Sequence, residues 1–448
     1  MKTIRRFTPT RLLPHLRVAT AVSLIAAGVV SAIMALPLNV TGSSTAAQLI
    51  SDSQLKAMST TVGGANPLAT TRTVEHWFGT AFNPLDGVTY GFNMVGKDPL
   101  LEQTSNIPTD IIPLNVVVGG MTFNGSDIVG PTLSSPVFSL NDYTSTPFVT
   151  RTLNGTTNNS FTTGGPLSSG NTNNQLEDAT MRSQFNKQGT DYHVKLSPVT
   201  MHDPITIVVP SGQGTLIQTG RGVIAGDINI QWWATQIQKL NNSLGYNDPT
   251  HLPIYLTNNV MLFFAGNPLN CCVIGFHGAG EVPSKKGFGQ QHGNGNQPVQ
   301  TFAWASYVTP GFFGPISAWA LQDIHPLSHE ISEWADDPFI NNFVQPWGTP
   351  TAQSAGCSNV LETGDPVTGI GFAKGTNTFE QGPTPNGTQV ADGYYHPEDE
   401  VLLPWFMRTS PNNISQPTQS PSTNIGRYTF MGDLNPYAGF RQPPGNCP

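Results

Sequence analysis

Short apolar runs rich in β-branched residues recur along the chain, and each is closed by a turn residue. Runs of this length and composition predict β-strands. Two lie in the first half, at 111–118 and 205–209, and four follow in the second half, at 252–257, 260–264, 271–276 and 301–308. The pattern therefore predicts a chain rich in β-structure.

Two stretches carry the three- and four-residue spacing of an amphipathic helix instead. The first follows Asp227, a candidate N-cap, and its apolar positions are Ile230, Trp233, Ile237, Leu240 and Leu244. The second runs from about Asp323 to Ala335, with Asp323 as the candidate cap and Pro326 in the first turn, where proline is tolerated. Together the two patterns predict an α+β fold with a β-rich N-terminal region at 71–215.

The first residues have the pattern of a secretory signal. Several arginines precede an apolar run from Val18 to Met34, and small residues lie near its end. This order is typical of a signal peptide, which we place at 1–35, followed by a flexible leader at 36–70. The alternative is an uncleaved anchor, because the run is near the lower limit of roughly 17 residues for a membrane span. We expect a secreted protein, extracellular, at the cell surface or in the periplasm, with no membrane span in the mature chain.

The composition narrows the class of protein further. Only 11% of the residues are charged, and 28 acidic residues against 20 Lys and Arg give a formal net charge of −8. So low a charge excludes a coiled coil, and the acidic balance argues against a nucleic-acid partner. A hydrophobic content of 38% is sufficient for a folded core.

Four cysteines, Cys271, Cys272, Cys357 and Cys447, indicate two disulfides in an exported protein. Neighbouring residues of a strand face opposite sides, so we expect Cys271 and Cys272 to bond different partners. A bridge from either one to Cys357 would bring His277 and Glu362 near one site. The alternative is that the bonds only connect loops.

The stretch around the second helix carries the chemistry. His329 and Glu333 are four residues apart, so their side chains share one helix face about 5–6 Å apart and can bind one metal ion. Glu330 lies beside the first of them and can act as a general base. This is the logic of the HExxH zinc hydrolases, with Glu in place of the second His. The pattern HExxE also occurs on ordinary solvated helices.

Later segments offer the rest of a metal site. Glu362 suits the third ligand, with His325 and Asp365 as alternates, although Asp365 is also a common turn residue. A second imidazole would suit zinc better, and His325, His277 and His396 are the candidates. We expect Zn²⁺, with Ca²⁺ or Mn²⁺ left open, and His277 or His396 as a further catalytic group. The acidic run 398–400 is more typical of a solvated turn than of a cation site.

Four short motifs, in this order, resemble the phosphate-induced, exordium-like extracellular proteins and their uncharacterised bacterial relatives. They are Cys272–His277, Phe302-Ala303-Trp304, His329–Glu333 with Asp337-Pro338, and Glu362 with Asp365. The resemblance covers about residues 271–405, and Pro366 departs from the leucine and cysteine of the plant proteins. It implies secretion to a wall or matrix and no settled reaction.

The residues and the resemblance together lead to three hypotheses. The first is a metal-dependent hydrolase of peptide bonds, in which a zincin-like part at 216–448 packs the HExxE helix on a mixed sheet. The second is a non-catalytic, exordium-like surface protein that binds carbohydrate or a protein partner. The third is a glycoside hydrolase that uses Glu330 or Glu362. The expected partner is accordingly an extracellular peptide or polysaccharide.

Overall fold

The fold is known from a computed structural model, which describes residues 71–143, 147–149, 161–163, 173–185, 187, 189–219, 222–282, 298–310, 312–313, 321–348, 357–379, 393–409 and 429–430. The predicted signal peptide and leader lie outside these residues. Within them, strands predominate over helices, which confirms the prediction of a β-rich α+β protein.

The strands, numbered in chain order, are β1 (His76–Asn83), β2 (Val88–Val95), β3 (Thr104–Val118), β4 (Met121–Asn124), β5 (Pro147–Val149), β6 (Phe161–Thr163), β7 (His193–Met201), β8 (Ile205–Val208), β9 (Gly214–Gln218), β10 (Ile224–Asn229), β11 (Leu252–Asn258), β12 (Val260–Phe263), β13 (Cys271–Val273), β14 (Gly275–Glu281), β15 (Val299–Tyr307), β16 (Phe343–Gly348), β17 (Cys357–Val360) and β18 (Gly371–Phe372). The helices are α1 (Val129–Ser134), α2 (Leu176–Gln184), α3 (Ile230–Ser243), α4 (His325–Asp336) and α5 (Leu403–Phe406). In the part of the chain that the structure describes, we find no helix of the length and apolarity that crossing a membrane requires.

A seven-stranded mixed sheet forms the centre of the fold. The long strand β3 pairs with β11, β7 and β8 in parallel and with β4 in antiparallel fashion, while β15 runs parallel to β11. Strand β14 pairs antiparallel to β15 at the edge of this sheet. Because β3 and β11 lie on opposite sides of the predicted boundary at 215/216, one sheet contains segments from both predicted regions.

The remaining strands of the described ranges form four smaller sheets. The largest has the order β13-β12-β10-β9, so that β13 and β14, which are separated only by Ile274, belong to different sheets. The other three are β1-β2, β16-β17 and β18-β5-β6. The predicted strand at 271–276 is therefore two strands, and the change of sheet between them occurs beside the site described below.

Helix α4, which carries the HExxE pattern, packs on strands β14 and β15. Leu327, Ile331 and Trp334 recur at helical spacing and lie in the same core as Ala303 of β15. The indole N–H of Trp334 donates to the hydroxyl of Thr301 at 3.0 Å, which satisfies its polar atom in the core. This apolar face fixes the rotation of the helix and so decides where its polar side chains point.

The expected pairing of the neighbouring cysteines is wrong. Cys271 and Cys272 form a disulfide with each other, across a cis peptide bond, and Cys357 is also disulfide-bonded. The expectation assumed the alternation of an extended strand, whereas the two Cα atoms here are only 3.1 Å apart. Cys447 lies outside the described residues.

The predicted cap of helix α3 is also wrong by two residues. Asn229 caps the helix, because its side-chain oxygen accepts from the N–H groups of Gln231 and Trp232. Asp227 instead lies within strand β10, is fully buried, and has no hydrogen-bond partner for either carboxylate oxygen. Burial raises the pKa of Asp227 to about 8. The carboxyl group is therefore held in its neutral form in the folded state at neutral pH.

We expect Asp227→Asn to stabilise the protein, by an amount that grows with pH. Between about pH 4 and pH 8 the folded wild type keeps the proton of Asp227 and the unfolded chain releases it, so wild-type stability falls as pH rises, by about 1 kcal/mol per pH unit. The neutral amide has no such dependence. Denaturant unfolding of both proteins at pH 5, 6.5 and 8 measures the difference, with the exposed Asp203→Asn as control. Parallel pH profiles for wild type and Asp227→Asn would contradict the assignment.

Candidate metal centre

Side chains from four segments line one pocket that opens to solvent. Strand β14 contributes His277, helix α4 contributes His329, Glu330 and Glu333, and a turn after β17 contributes Glu362 and Asp365. Glu398 completes this set from a later segment. A pocket on which several buried titratable groups converge is the usual form of a small-ligand or catalytic site.

The imidazole of His329 is held between carboxylates on both ring nitrogens. Its Nε2 lies 3.1 Å from Oε1 of Glu333, one helical turn away, and 3.7 Å from Oδ1 of Asp365. Its Nδ1 lies 2.7 Å from Oε2 of Glu398. One nitrogen therefore faces two carboxylates in the pocket, and the other is hydrogen-bonded to a third that is fully buried.

Among the residues that the structure describes, two sets of three donors are close enough to hold a metal ion. The donor atoms of His329, Glu333 and Asp365 all lie within 4.8 Å of one another, and so do those of His277, Glu333 and Glu362. Glu333 belongs to both sets. Asp365, the predicted alternate for the third ligand, therefore lies next to His329. Glu362, the expected third ligand, lies beside His277 instead.

Glu330 and His277 form a second buried pair at the same site. Nδ1 of His277 lies 3.5 Å from Oε2 of Glu330 and 3.6 Å from Oε2 of Glu333, and its Nε2 lies 3.2 Å from the carbonyl oxygen of Asp337. Burial raises the pKa of Glu330, although the hydrogen bond to His277 and the charge of His329 oppose it. Burial alone would lower the pKa of His277, but the hydrogen bond to Glu330 and the charge of Glu333 raise it overall.

The remaining pKa shifts follow from crowding of acids around one imidazole. Burial acts to lower the pKa of His329, but the charges of Glu333 and Glu398 outweigh it and raise the pKa well above its usual 6.5. Burial, followed by the charge of Glu333, raises the pKa of Asp365 and of Glu362 well above the ordinary range. For Glu333 burial is outweighed by the charge of His329, and its pKa is lowered.

Two glycines make room for this close packing. A Cβ atom at Gly275 would lie 2.5 Å from Oε1 of Glu330, and one at Gly364 would lie 2.5 Å from Nδ1 of His329. Contacts that short do not occur in folded proteins, so any larger residue would displace a side chain of the site. The strand and the turn can therefore approach helix α4 only because these positions carry no side chain.

The two remaining predicted histidines lie in different places. His325 lines the pocket, and its Nε2 is 3.0 Å from Oε2 of Glu398. His396 is buried with its Nδ1 2.6 Å from Oδ2 of Asp323, and among the described residues it is not part of the pocket lining. The structure therefore does not bring His396 to the groups that it was expected to assist.

The expectation of a solvated turn at 398–400 is wrong. Glu398, Asp399 and Glu400 are all buried, and Glu398 accepts from His329. Burial acts to raise the pKa of Glu398, but the charges of His325 and His329 lower it. One feature of the sequence could have indicated burial, namely three consecutive acids in a chain of which only 11% is charged. Such a cluster is unexpected on the surface of so weakly charged a protein.

The donor set fits a transition-metal cation. One imidazole and two carboxylates are the ligand types that Zn²⁺ and Mn²⁺ accept, whereas Ca²⁺ prefers oxygen alone. Oε2 of Glu362 is buried and has no hydrogen-bond partner, and the same is true of Oε1 of Glu398. Buried carboxylate oxygens without partners are costly, and a cation beside them would reduce that cost.

Comparison with known proteins adds nothing to this description. No protein-family model matches the chain, and neither a curated protein nor a solved structure does. The resemblance to the exordium-like proteins therefore stays a prediction.

Proposed function

We propose that the protein is a secreted, metal-dependent hydrolase that cleaves peptide bonds and uses Zn²⁺. The observation that supports this best is the placement of His329, whose Nε2 faces Glu333 and Asp365 while Nδ1 is bonded to Glu398. A histidine that binds a metal almost always donates its other ring N–H to a carboxylate or carbonyl, which fixes its tautomer and orientation. A histidine that only fills a polar core needs no such arrangement.

His329, Glu333 and Asp365 would hold the cation, and His277 with Glu362 offers an adjoining set that shares Glu333. Bound there, the cation supplies Lewis-acid chemistry, which polarises a carbonyl and lowers the pKa of water. With Glu398 accepting the Nδ1 proton, Nε2 of His329 would be the nitrogen that faces the cation. Because burial leaves the carboxylates poorly solvated, their affinity for a cation is higher than it would be on the surface.

Glu330 is the general base in this proposal. Glu330 lies on helix α4, three residues before Glu333, and lines the pocket. Burial raises its pKa above the ordinary value for a glutamic acid. A base works best when its pKa is close to the working pH. Glu330 would take a proton from the attacking water and deliver it to the leaving amine. His277, at 3.5 Å, holds the carboxylate in position by a charged hydrogen bond.

The edge strand β14 favours a peptide as substrate. Among the described strands it pairs with β15 alone, and Gly275, its first residue, packs against Glu330. The outer side of such a strand can bind an extended peptide through backbone hydrogen bonds. A polysaccharide cannot use this row of donors and acceptors in the same way. The proposal includes a zincin-like arrangement, in which helix α4 packs on the mixed sheet through β14 and β15.

The test is digestion of a peptide library by the purified protein, with products identified by mass spectrometry. We expect cleavage that stops on treatment with a chelator and returns when Zn²⁺ is added, with Mn²⁺ and Ca²⁺ tested separately. Cleavage that a chelator leaves unchanged would contradict the role of the metal. Retention of a glycan that is insensitive to the chelator, without cleavage of any peptide, would favour the non-catalytic surface protein.

A further inference from the structure

The two carboxylate oxygens of Glu333 face different imidazoles. Oε1 of Glu333 lies 3.1 Å from Nε2 of His329, and it also accepts from the backbone N–H of Asp365 at 3.2 Å. Oε2 lies 3.6 Å from Nδ1 of His277. Among the described residues, neither set of metal-binding donors contains both imidazoles. Glu333 therefore lies between two separate groups of donors and turns one oxygen toward each group.

His277 has the orientation of a metal-binding histidine. Its Nε2–H donates to the carbonyl oxygen of Asp337 at 3.2 Å, because a carbonyl can only accept. The other ring nitrogen, Nδ1, faces the carboxylates of Glu330 and Glu333 in the pocket. Histidines that bind a metal almost always donate the second ring N–H to a carbonyl or carboxylate in this way. His329 has the same arrangement, with Glu398 as the acceptor.

Glu362 provides a third donor on the side of His277. Its carboxylate is buried, and its Oε2 has no hydrogen-bond partner. The donor atoms of Glu362, His277 and Glu333 all lie within 4.8 Å of one another. A cation held by His329, Glu333 and Asp365 does not use Glu362. The cost of burying this oxygen without a partner would therefore persist when only the first set is filled.

We propose that the pocket binds a second divalent cation, held by His277, Glu333 and Glu362, and that Glu333 bridges this cation to the first. The inference rests on the proposed function, because it adds a cation to the same site. In two-metal hydrolases the ions lie about 3.5–4 Å apart, and the two oxygens of one carboxylate can each bind one of them. The second cation takes the place of the Nδ1 proton of His277, which otherwise bonds Glu330.

The second cation binds more weakly than the first. The N–H of His329 is accepted by the carboxylate of Glu398, whereas the N–H of His277 is accepted by a neutral carbonyl. A charged acceptor makes the imidazole a stronger ligand. Two cations that share Glu333 also repel each other. The first cation is therefore retained on dialysis, and the second binds only when free metal is present.

The experiment counts the Mn²⁺ ions that bind to the purified full chain by electron paramagnetic resonance, in which the sharp signal of free Mn²⁺ measures what is not bound. Mn²⁺ accepts imidazole and carboxylate ligands and is magnetic. For the wild type we expect about two ions per chain, the second with a Kd at least about tenfold higher, and magnetic coupling between them.

Two variants remove the second site alone. Glu362→Gln, which keeps the shape of the side chain, and His277→Ala should each keep the first ion and lose both the second ion and the coupling. Glu400→Gln is the matched control, because Glu400 is also buried with carboxylate oxygens that lack partners, but lies outside the pocket lining and both donor sets. It should behave as wild type. Thermal unfolding of each variant checks that it is folded.

The outcomes separate the two proposals. One bound ion in the wild type, with no second at excess Mn²⁺, overturns the second site and leaves the proposed function standing. No bound ion in the wild type, with either Mn²⁺ or Zn²⁺, overturns both. A second ion that shows no coupling and persists in Glu362→Gln is an adventitious ion only. Loss of both ions in folded Glu362→Gln and His277→Ala shows a single shared site, which also overturns the inference.

Discussion

Glu330→Gln is expected to reduce kcat for peptide cleavage by about 100-fold to 10,000-fold while the amount of bound metal stays the same. The amide has nearly the shape of the carboxylate and keeps a contact with His277, but it cannot accept a proton from water at neutral pH. Glu330 is not in either set of metal-binding donors. The measurement combines steady-state kinetics on a cleaved peptide with metal analysis of the same preparation.

A control variant and the metal content of Glu330→Gln test this prediction. Glu281→Gln changes an exposed acid at the end of strand β14, which carries His277, and should leave both kcat and metal content unchanged. If Glu330→Gln hydrolyses peptides at the wild-type rate, Glu330 is not the base. If it loses metal together with activity, the carboxylate acts as a ligand instead.

The local part of the site could be predicted from the sequence. His329 and Glu333 lie four residues apart in one helix, and helical geometry alone brings their side chains to the observed 3.1 Å. The apolar spacing of Leu327, Ile331 and Trp334 likewise fixes which helix face packs on the sheet. Both inferences need only residues within a few turns of one another.

The long-range part could not be predicted, because it depends on how distant segments meet. Glu362 and Asp365 are three residues apart, and only the path of the turn decides that Asp365 approaches His329. Glu398 is 69 residues from His329 along the chain. The run of acids at 398–400 in a weakly charged chain could have indicated burial, but no local pattern identifies His329 as the residue that it contacts.

The fold shows the same division. Short β-branched runs indicated three strands of the central sheet, β8, β11 and β15, to within two residues. Their partners did not follow from the runs, since β3 pairs in parallel with β7, β8 and β11, and parallel partners are always distant in sequence. The prediction that Cys271 and Cys272 bond different partners was wrong for a related reason, because it assumed an extended backbone at that position.

The acids of the pocket connect metal binding to protonation. In the absence of a cation, the charged imidazole of His329 lies between Glu333 and Glu398, and burial favours the neutral forms of Asp365 and Glu362. A cation at the same place competes with these protons, since ligands must be deprotonated to bind it.

His329→Ala is expected to remove the bound metal, reducing metal content at least about tenfold, because the only nitrogen of its donor set is lost. Glu398→Gln should weaken metal binding by about 10-fold to 100-fold, since the amide accepts the Nδ1 proton less strongly and orients the ring less firmly. Metal analysis after dialysis, followed by titration with Zn²⁺, measures both effects.

The extent of metal loss in His329→Ala and in Glu398→Gln distinguishes a metal centre from an ordinary buried ion pair. Loss of His329 leaves Glu333 and Glu398 without their partner, so some loss of stability is expected whatever the site does. His193→Ala breaks a comparable contact, the 2.8 Å pair with Asp178, outside the pocket lining, and should lose stability without losing metal. Equal metal content in wild type, His329→Ala and His193→Ala would show that this histidine only balances buried acids. Metal that is lost with His329, weakened with Glu398 and retained with His193 requires a cation bound at Nε2.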